Sequence, residues 1–555
     1  MNSGKDNRLR DAVAHFQGGR LAEAERLCAE VLTQEPRNII ALHVLGVVHC
    51  QGGDLARGAE LIGEAVRLGP GNAAAHYDLG KVWLAQGKPE DAAAAFAKAL
   101  KINPKFAEAH NNLGNAHREQ GRIEDAVAAY EESLAINPKF AEAHNNLGNA
   151  LRELGRLADA AAAYARALAL NPDFAEAHFN LGNLHLGQDE LEDAVAAYEE
   201  ALARRPDYGE AMNNLGSALQ NLGRYPEALD AFDRLLRLRH GGPLWNAPTF
   251  DASADPPAAR PVATSIFKLG DSIDQLDYLM AKGRIDGSFE GMAMRYRAVL
   301  IEMDEGADQG LTPDQGLRIA AFHDRVIHFA GAPRMAGGAL NPGLDFRAIE
   351  DEYLSSPVAV IKVDDFLTPD ALRSLRDFCL ESTIFFDFTG ERFVSSRSNQ
   401  GFNCELLYQM AEELKECLPR VLGGHALNNM WVYRYNNRSD GVAVHTDDGA
   451  VTFNFWITPD AANKTPGGGG LIVYAKEQPG DWDWERYNRD KYGPAMMAGI
   501  EEFLSDAETV TIPHGENRAV LFHSNLFHKS DRVNFHDGFE NRRMNVTMLF
   551  GRRGG

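Results

Sequence analysis

The chain is short of cysteine, short of basic residues, and has no long apolar run. Its five cysteines (Cys28, Cys50, Cys379, Cys404 and Cys417) are odd in number and include no C-x-x-C pair. That argues against a disulfide framework or a thiolate zinc site and suits a reducing compartment. Lysine plus arginine number 56 against 79 aspartate plus glutamate, a formal net charge of −23. Such a surplus of negative charge argues against a large phosphate-binding surface, so nucleic acid is not an expected partner. No stretch reaches the roughly 18 apolar residues that a membrane-spanning helix needs. The opening Met-Asn-Ser-Gly-Lys-Asp-Asn-Arg lacks the apolar segment of a secretory signal. The expectation is a cytoplasmic protein with no membrane partner.

What the chain has in quantity is repetition. Pro36, Pro70, Pro104, Pro138, Pro172 and Pro206 each lie 34 residues from the last. Leu-Gly pairs keep the same period from Leu45-Gly46 to Leu215-Gly216, and aromatics stand in register at Phe96, Tyr130, Tyr164, Tyr198 and Phe232. Gly87, Gly121, Gly155 and Gly223 mark a turn, each followed by a basic residue and an Ala-rich segment. This is the pattern of two helices per unit: the small glycine lets them approach, the aromatic fills the gap, and proline starts the next turn. The pattern resembles the tetratricopeptide repeat over residues 1–240, about seven units. The end units are degenerate, with Asp11-Ala12 in place of Leu-Gly and His240 in place of proline, as expected of repeats that cap a stack.

Asn112, Asn146, Asn180 and Asn214 form a column inside the array, with a second at Asn115, Asn149 and Asn183. A repeat copies its solvated surface along with its core, which is one explanation. The other is a ladder that hydrogen-bonds an extended peptide, since each carboxamide offers one acceptor and two donors. The columns are similar to the asparagine ladder of O-linked N-acetylglucosamine transferases, which implies a polypeptide partner by analogy.

Residues 241–265 carry proline and glycine with little periodicity and read as a linker. Residues 266–350 return to helical patterning and read as a helical bridge of no recognised type. From 351 to 555 the texture changes to seven or more short strands separated by Gly, Pro and Asn turns, the signature of a barrel or sandwich. The expected architecture is multidomain: an all-α repeat superhelix followed by a β-rich domain with flanking helices.

Candidate metal ligands lie in that β-rich half. An H-x-D pair occurs twice, at His76/Asp78 and His445/Asp447. The first lies in a helical repeat, where residues two apart diverge around the axis. The second lies in a strand-like stretch, where residues two apart share a face. Two imidazoles and one carboxylate can occupy one face of an octahedral ferrous ion and leave positions open. His523 and His528 compete for the third place.

The run Phe522-His523-Ser524-Asn525-Leu526-Phe527-His528 resembles the F-x-S-x-x-x-H segment of 2-oxoglutarate/iron(II) oxygenases of the prolyl-hydroxylase type. The resemblance implies a double-stranded β-helix (jelly roll), iron(II) held by His445, Asp447 and His528, and 2-oxoglutarate as co-substrate. Arg543-Met-Asn545-Val-Thr547 is similar to the family's R-x-S-L-T strand, which implies that Arg543 anchors the distal carboxylate by a bidentate fork, with Asn545 in the Ser position. Arg542 is the rival. Fifteen residues separate His528 from Arg543, more than is usual in the family. Tyr435, Asn454 and Trp456 are further candidates for lining the co-substrate pocket, against the ordinary reading of barrel aromatics as core. Gly467–Gly470 takes the place of the family's Gly-Gly turn and is no phosphate loop.

These residues imply a dioxygenase that uses O2, with ascorbate as a possible aid, to hydroxylate a protein or peptide side chain recruited by the repeats. A small-metabolite hydroxylase with repeats used for assembly is the second reading, and a non-catalytic repeat scaffold the third. The long insertion at 481–500 is a candidate lid or a surface excursion packed by its own aromatics.

Overall fold

The structure is a computed structural model, and it describes residues 3–242, 263–303, 311–390, 392–479, 482, 487 and 493–552. The expected linker therefore lies almost wholly outside the described residues, as does much of the 481–500 insertion. The chain divides into two compact units, Met1–Pro206 and Asp207–Gly555.

The first unit is a run of helical hairpins, from Ser3–Gln17 with Leu21–Gln34 to Ala175–Gly187 with Leu191–Arg204. Within each hairpin the Leu-Gly glycine meets the aromatic of the second helix. A Cβ on Gly114 would stand 2.5 Å from the Tyr130 ring, and Gly148 and Gly182 face Tyr164 and Tyr198 in the same way. That approach explains the shared period of glycine and aromatic. The turn glycines have positive φ (Gly121 at 75°), and where the period reaches 189 the chain keeps the conformation without the residue: Asp189 sits at φ 63°. An Asp is among the few side chains that tolerate this region.

The second unit opens with one more hairpin, Gly209–Asn221 and Tyr225–His240, which packs on the β-rich part. Gln220 donates from Nε2 to the carbonyl of Asn428 at 2.8 Å, and the Tyr225 ring stacks on Tyr408 at 4.8 Å. Beyond it, helices Ile266–Ala281, Glu290–Ile301 and Pro313–Ile319 enclose a core of Leu269, Ile273, Leu276, Met292, Tyr296 and Phe322. This helical group is joined to the sheet by buried charge. Arg434 donates from Nε to Asp271 at 2.9 Å, and Arg542 also pairs with Asp271 and with Asp274. Burial raises the Asp271 carboxyl, but the two guanidiniums outweigh it and hold the group below its usual range.

Twelve strands follow: β1 (Val360–Val363), β2 (Asp387–Thr389), β3 (Phe393–Arg397), β4 (Leu427–Tyr435), β5 (Arg438–Ser439), β6 (Val451–Trp456), β7 (Leu471–Glu477), β8 (Thr509–Ile512), β9 (Ala519–His523), β10 (Leu526–Ser530), β11 (Val533–Asn534) and β12 (Met544–Phe550). They form a seven-stranded sheet in the order β1-β9-β6-β12-β4-β3-β2, a three-stranded sheet β10-β7-β8 and a pair β11-β5. Every pairing is antiparallel. Trp456, Val520 and Phe522 of the large sheet pack with Leu471, Val473, Ile512 and Leu526 of the small one.

Strand parity sorts the large sheet into two faces. Asn545 pairs with Tyr433 and Trp456, Thr547 with Trp431 and Asn454, and Thr452 with Phe522, so these side chains share the face toward the small sheet. Arg434, Phe453 and Phe455 take the other face. There Phe453 meets Phe366 at 4.7 Å, and Arg434 meets Asp271.

Candidate metal centre

His445, Asp447 and His528 come together with ligand atoms all within 4.8 Å of one another. His528 stands on β10, and His445 is held against it by a reciprocal backbone pair: His445 N donates to His528 O at 2.9 Å and His528 N to His445 O at 2.8 Å. Residues 442–447 do not form a regular strand as the sequence pattern suggested. They make this isolated bridge and one further bond, from Asp447 N to Ser524 O at 3.1 Å. The bridge still sends the side chains at 445 and 447 to one side, because the backbone there stays extended.

Both rings are oriented by their second nitrogen. Nδ1 of His445 lies 2.8 Å from the carbonyl of Ala443, and Nδ1 of His528 lies 3.1 Å from that of Leu526. A carbonyl only accepts, so each Nδ1 carries the proton and each Nε2 presents its lone pair. Those Nε2 atoms lie 3.7 and 3.6 Å from the two oxygens of Asp447, too far for hydrogen bonds and suited to a shared cation. Asp447 is buried and fixed by Thr452 Oγ1 at 2.9 Å, itself 2.8 Å from Ser524 Oγ. Tyr487 Oη accepts the amide of Thr446, between the two ligands, at 2.9 Å. His523 stands apart, 3.3 Å from Glu477.

Arg543 and Arg542 part company at the start of β12. Arg542 is held by Asp271 and Asp274 on the helical side. Arg543 turns to the face that carries the metal-type cluster, is almost wholly buried, and donates from Nη2 to the carbonyl of Gly470 at 3.0 Å. A Cβ at Gly470 would overlap the carbonyl of Ile512, so the close approach there requires glycine. Nε and Nη1 of Arg543 have no hydrogen-bond partner, and no carboxylate of the described residues lies within ion-pair distance. The guanidinium rests 4.4 Å over Tyr435 and 5.8 Å from Trp456. Burial pushes its pKa down from the ordinary value, with Tyr435 opposing. The neighbouring His514 is driven down to about 3 by burial and by Arg543, so it brings no negative charge.

The other expected residues sit around this guanidinium on the same face. Tyr435 is buried with Oη 3.0 Å from Ser530 Oγ. Asn454 donates to Thr547 at 3.1 Å, while its Oδ1 and that of Asn545 are buried without a partner. Thr452, Ser524 and Tyr487 were not legible in the sequence, because a hydroxyl that steadies a ligand has no spacing rule. Trp482 and Tyr487 of the insertion pack with Val444 and Phe527, the neighbours of two ligands.

Models of the "Tetratricopeptide repeat" match residues 43–107, 179–243 and 95–128, and that of the "TPR repeat" matches 114–151 and 148–189. Residues 43–243 are tetratricopeptide repeats. Among solved structures, the chain is similar to MamA (25% identity, 29% of this chain and 95% of that one, TM-score 0.27). It is also similar to PilW, a type IV pilus biogenesis factor (21%, 40% and 100%, TM-score 0.36). A third is the anaphase-promoting complex assembly Cut9–Hcn1 (21%, 39% and 43%, TM-score 0.36). No curated protein matches. No helix of the described residues is long and apolar enough to cross a membrane.

The tetratricopeptide repeats use their asparagines partly on one another. Asn146 donates to Asn111 at 3.1 Å and Asn180 to Asn145 at 3.0 Å, each bridging to the preceding repeat, and Asn112 donates to Tyr77 Oη at 2.9 Å. The second column is internal too: Asn115, Asn149 and Asn183 accept the hydroxyls of Tyr130, Tyr164 and Tyr198 at 2.7–2.8 Å. The fourth residue of the first column, Asn214, accepts from Asn213 at 3.1 Å. Asn112, Asn146, Asn180 and Asn214 remain half-buried. The early H-x-D pair diverges as its helix requires, His76 bonding Pro70 O and Asp78 bonding His43.

Proposed function

We propose that residues 351–555 are an iron(II)- and 2-oxoglutarate-dependent dioxygenase, with the two stacked antiparallel sheets as the halves of a jelly roll. On this reading the repeats of 1–240 recruit a polypeptide whose side chain is hydroxylated, and 266–350 supports the sheet. One observation carries the reading: a buried, uncompensated arginine shares a sheet face with a His/Asp/His cluster whose imidazoles are held in the metal-binding tautomer. Buried charge is expensive unless paired, so a guanidinium with two idle N–H groups suits a carboxylate brought by a ligand.

The donor set fits the group. His445, Asp447 and His528 would hold iron(II), and two nitrogens with one oxygen suit that ion better than zinc with thiolates or magnesium with all-oxygen shells. When bound, iron(II) supplies O2 activation coupled to decarboxylation of 2-oxoglutarate. The chain's own part is orientation. Ala443 and Leu526 carbonyls fix the rings, Thr452 fixes the carboxylate, and Tyr487 fixes the backbone between ligands. Arg543 grips the distal carboxylate of the co-substrate through Nε and Nη1, over the ring of Tyr435. Asn454 and Asn545 present amide oxygens on the same wall, and Trp456 excludes water beside it.

The test is succinate formation from 2-oxoglutarate with iron(II) and ascorbate, for the wild type and for His445→Ala. Turnover in the wild type and none in the variant is expected; equal turnover in both sinks the assignment. A repeat scaffold without catalysis is the second reading, favoured because the matched family models fall within 43–243. It predicts no succinate from either protein and no iron(II) binding. Cytoplasmic location belongs to either reading.

A further inference from the structure

An open cleft of about 800 Å³ lies beside the cluster, formed by β2, β3, the turn between them, and Tyr433, Val442, Ala443 and Met497. It reaches the candidate centre by two routes. Ala443, on its wall, is the residue whose carbonyl holds His445 Nδ1. Phe393, on its floor, packs 4.6 Å from Tyr433, which lies 6.0 Å from Tyr435 under Arg543.

Two features say what could enter. First, β2 is the end strand of the seven-stranded sheet, so one side of its backbone has no partner strand. Such an edge is where an extended peptide adds itself, by main-chain hydrogen bonds. Second, the cleft carries Arg392 and Arg397, both exposed, and neither has an ion-pair partner among the described residues. In a chain of net charge −23 most surface arginines have found a carboxylate: Arg57, Arg122, Arg156, Arg224, Arg237 and Arg373 all have. The acid of the cleft, Asp387, is engaged by Gln400 at 2.7 Å. Phe386, Phe388 and Phe393 supply apolar area between the charges.

We propose that this cleft docks an extended, acidic polypeptide segment, with Arg392 and Arg397 pairing to its carboxylates and β2 to its backbone. The inference deepens the oxygenase reading by naming the class of target, and it concerns binding alone.

Selection of a random twelve-residue peptide library on the full chain tests it, without iron or 2-oxoglutarate. The wild type is set against Arg392→Glu/Arg397→Glu and Arg392→Gln/Arg397→Gln. Peptides held by the repeats bind all three proteins alike and are removed by subtraction. Those retained by the wild type and lost by the variants should be enriched in Asp and Glu. Individually synthesised, they should bind the Gln variant about five- to tenfold more weakly than the wild type, as two partly exposed ion pairs allow, and lose affinity with salt. The Glu variant should select Lys- and Arg-rich peptides instead. Both arginines are exposed and unpaired, so folding is not at stake, and matching far-UV circular dichroism verifies it. An absence of variant-sensitive peptides, or variant-sensitive peptides without acidic bias, overturns the proposal. Succinate formation is measured separately, so acid-selective binding without turnover refutes the oxygenase reading and leaves the cleft assignment standing. Turnover without acid selection does the reverse.

Discussion

Replacing Arg543 by methionine should leave the ligand-free protein as stable as before, whereas the same change at Arg542 should not. Arg542 pairs with Asp271 and Asp274 in the buried charge cluster. Its removal takes hydrogen bonds from charged groups, worth about 1.5–3 kcal/mol each. At roughly 2–4 °C per kcal/mol, and somewhat less in a larger unit, Tm should fall by several degrees. Arg543 offers no such loss, because Nε and Nη1 are unpartnered and no carboxylate stands near. An apolar side chain of similar volume at a buried, uncompensated charge is neutral or stabilising by about 1–4 kcal/mol. The ligand response should run the other way. With manganese(II) in place of iron to prevent turnover, 2-oxoglutarate at about a hundred times its Kd adds roughly 2.7 kcal/mol to the wild type. Loss of a buried charge pair worth about 3–5 kcal/mol weakens binding by roughly 10²- to 10³-fold. At the same concentration Arg543→Met should then gain less than about 0.5 kcal/mol. Differential scanning fluorimetry of wild type, Arg542→Met and Arg543→Met, with and without 2-oxoglutarate, reads all four quantities. The reasoning fails if Arg543→Met melts early without ligand, or if it keeps the wild-type shift.

Tyr487→Phe removes the acceptor of the Thr446 amide, so manganese(II) affinity by titration calorimetry should drop about tenfold with Tm nearly unchanged. Gly114→Ala places a Cβ against the Tyr130 ring; denaturation should show a loss of about 1–3 kcal/mol. Asp189→Gly relieves a side chain held at positive φ and should raise stability by up to about 1 kcal/mol. Asp271 has a folded pKa below its unfolded one, so its contribution is complete above the ordinary carboxylate range and is lost as pH falls through the depressed value. Thermal melts from pH 6 to pH 3 should therefore show the Asp207–Gly555 unit weakening at the acid end, less so in Asp271→Asn, which starts lower.

The repeats were readable because their period repeats one physical demand, glycine against aromatic, many times over. Asp189 shows the limit: the backbone conformation persisted where its usual residue did not. In the β-rich half, β9 and β12 coincide with the apolar runs that announce them, since each lies in the middle of the large sheet. β2 and β3 were missed; β2 is three residues at an edge and pairs on one side only. His445 and Asp447 do share a side, yet through a bridge and not through the strand that parity implied. Choosing between Arg542 and Arg543 needed the partners of each, Asp271 and Asp274, which lie some 270 residues away in sequence. Spacing carries no information about such partners. The asparagine columns were visible as columns, but their mutual bonds were not.

The hairpin Gly209–His240 belongs to the second compact unit, bonded to β4 through Gln220 and stacked on Tyr408. A repeat array whose final member is built into the neighbouring domain has one fixed end and a variable length. Gain or loss of a 34-residue unit before Pro206 would alter how far the array extends while leaving Gln220, Tyr225 and the residues they touch as they are. Reach and chemistry can then change independently, and a shortened chain should be cut at 206 rather than at the last repeat's end.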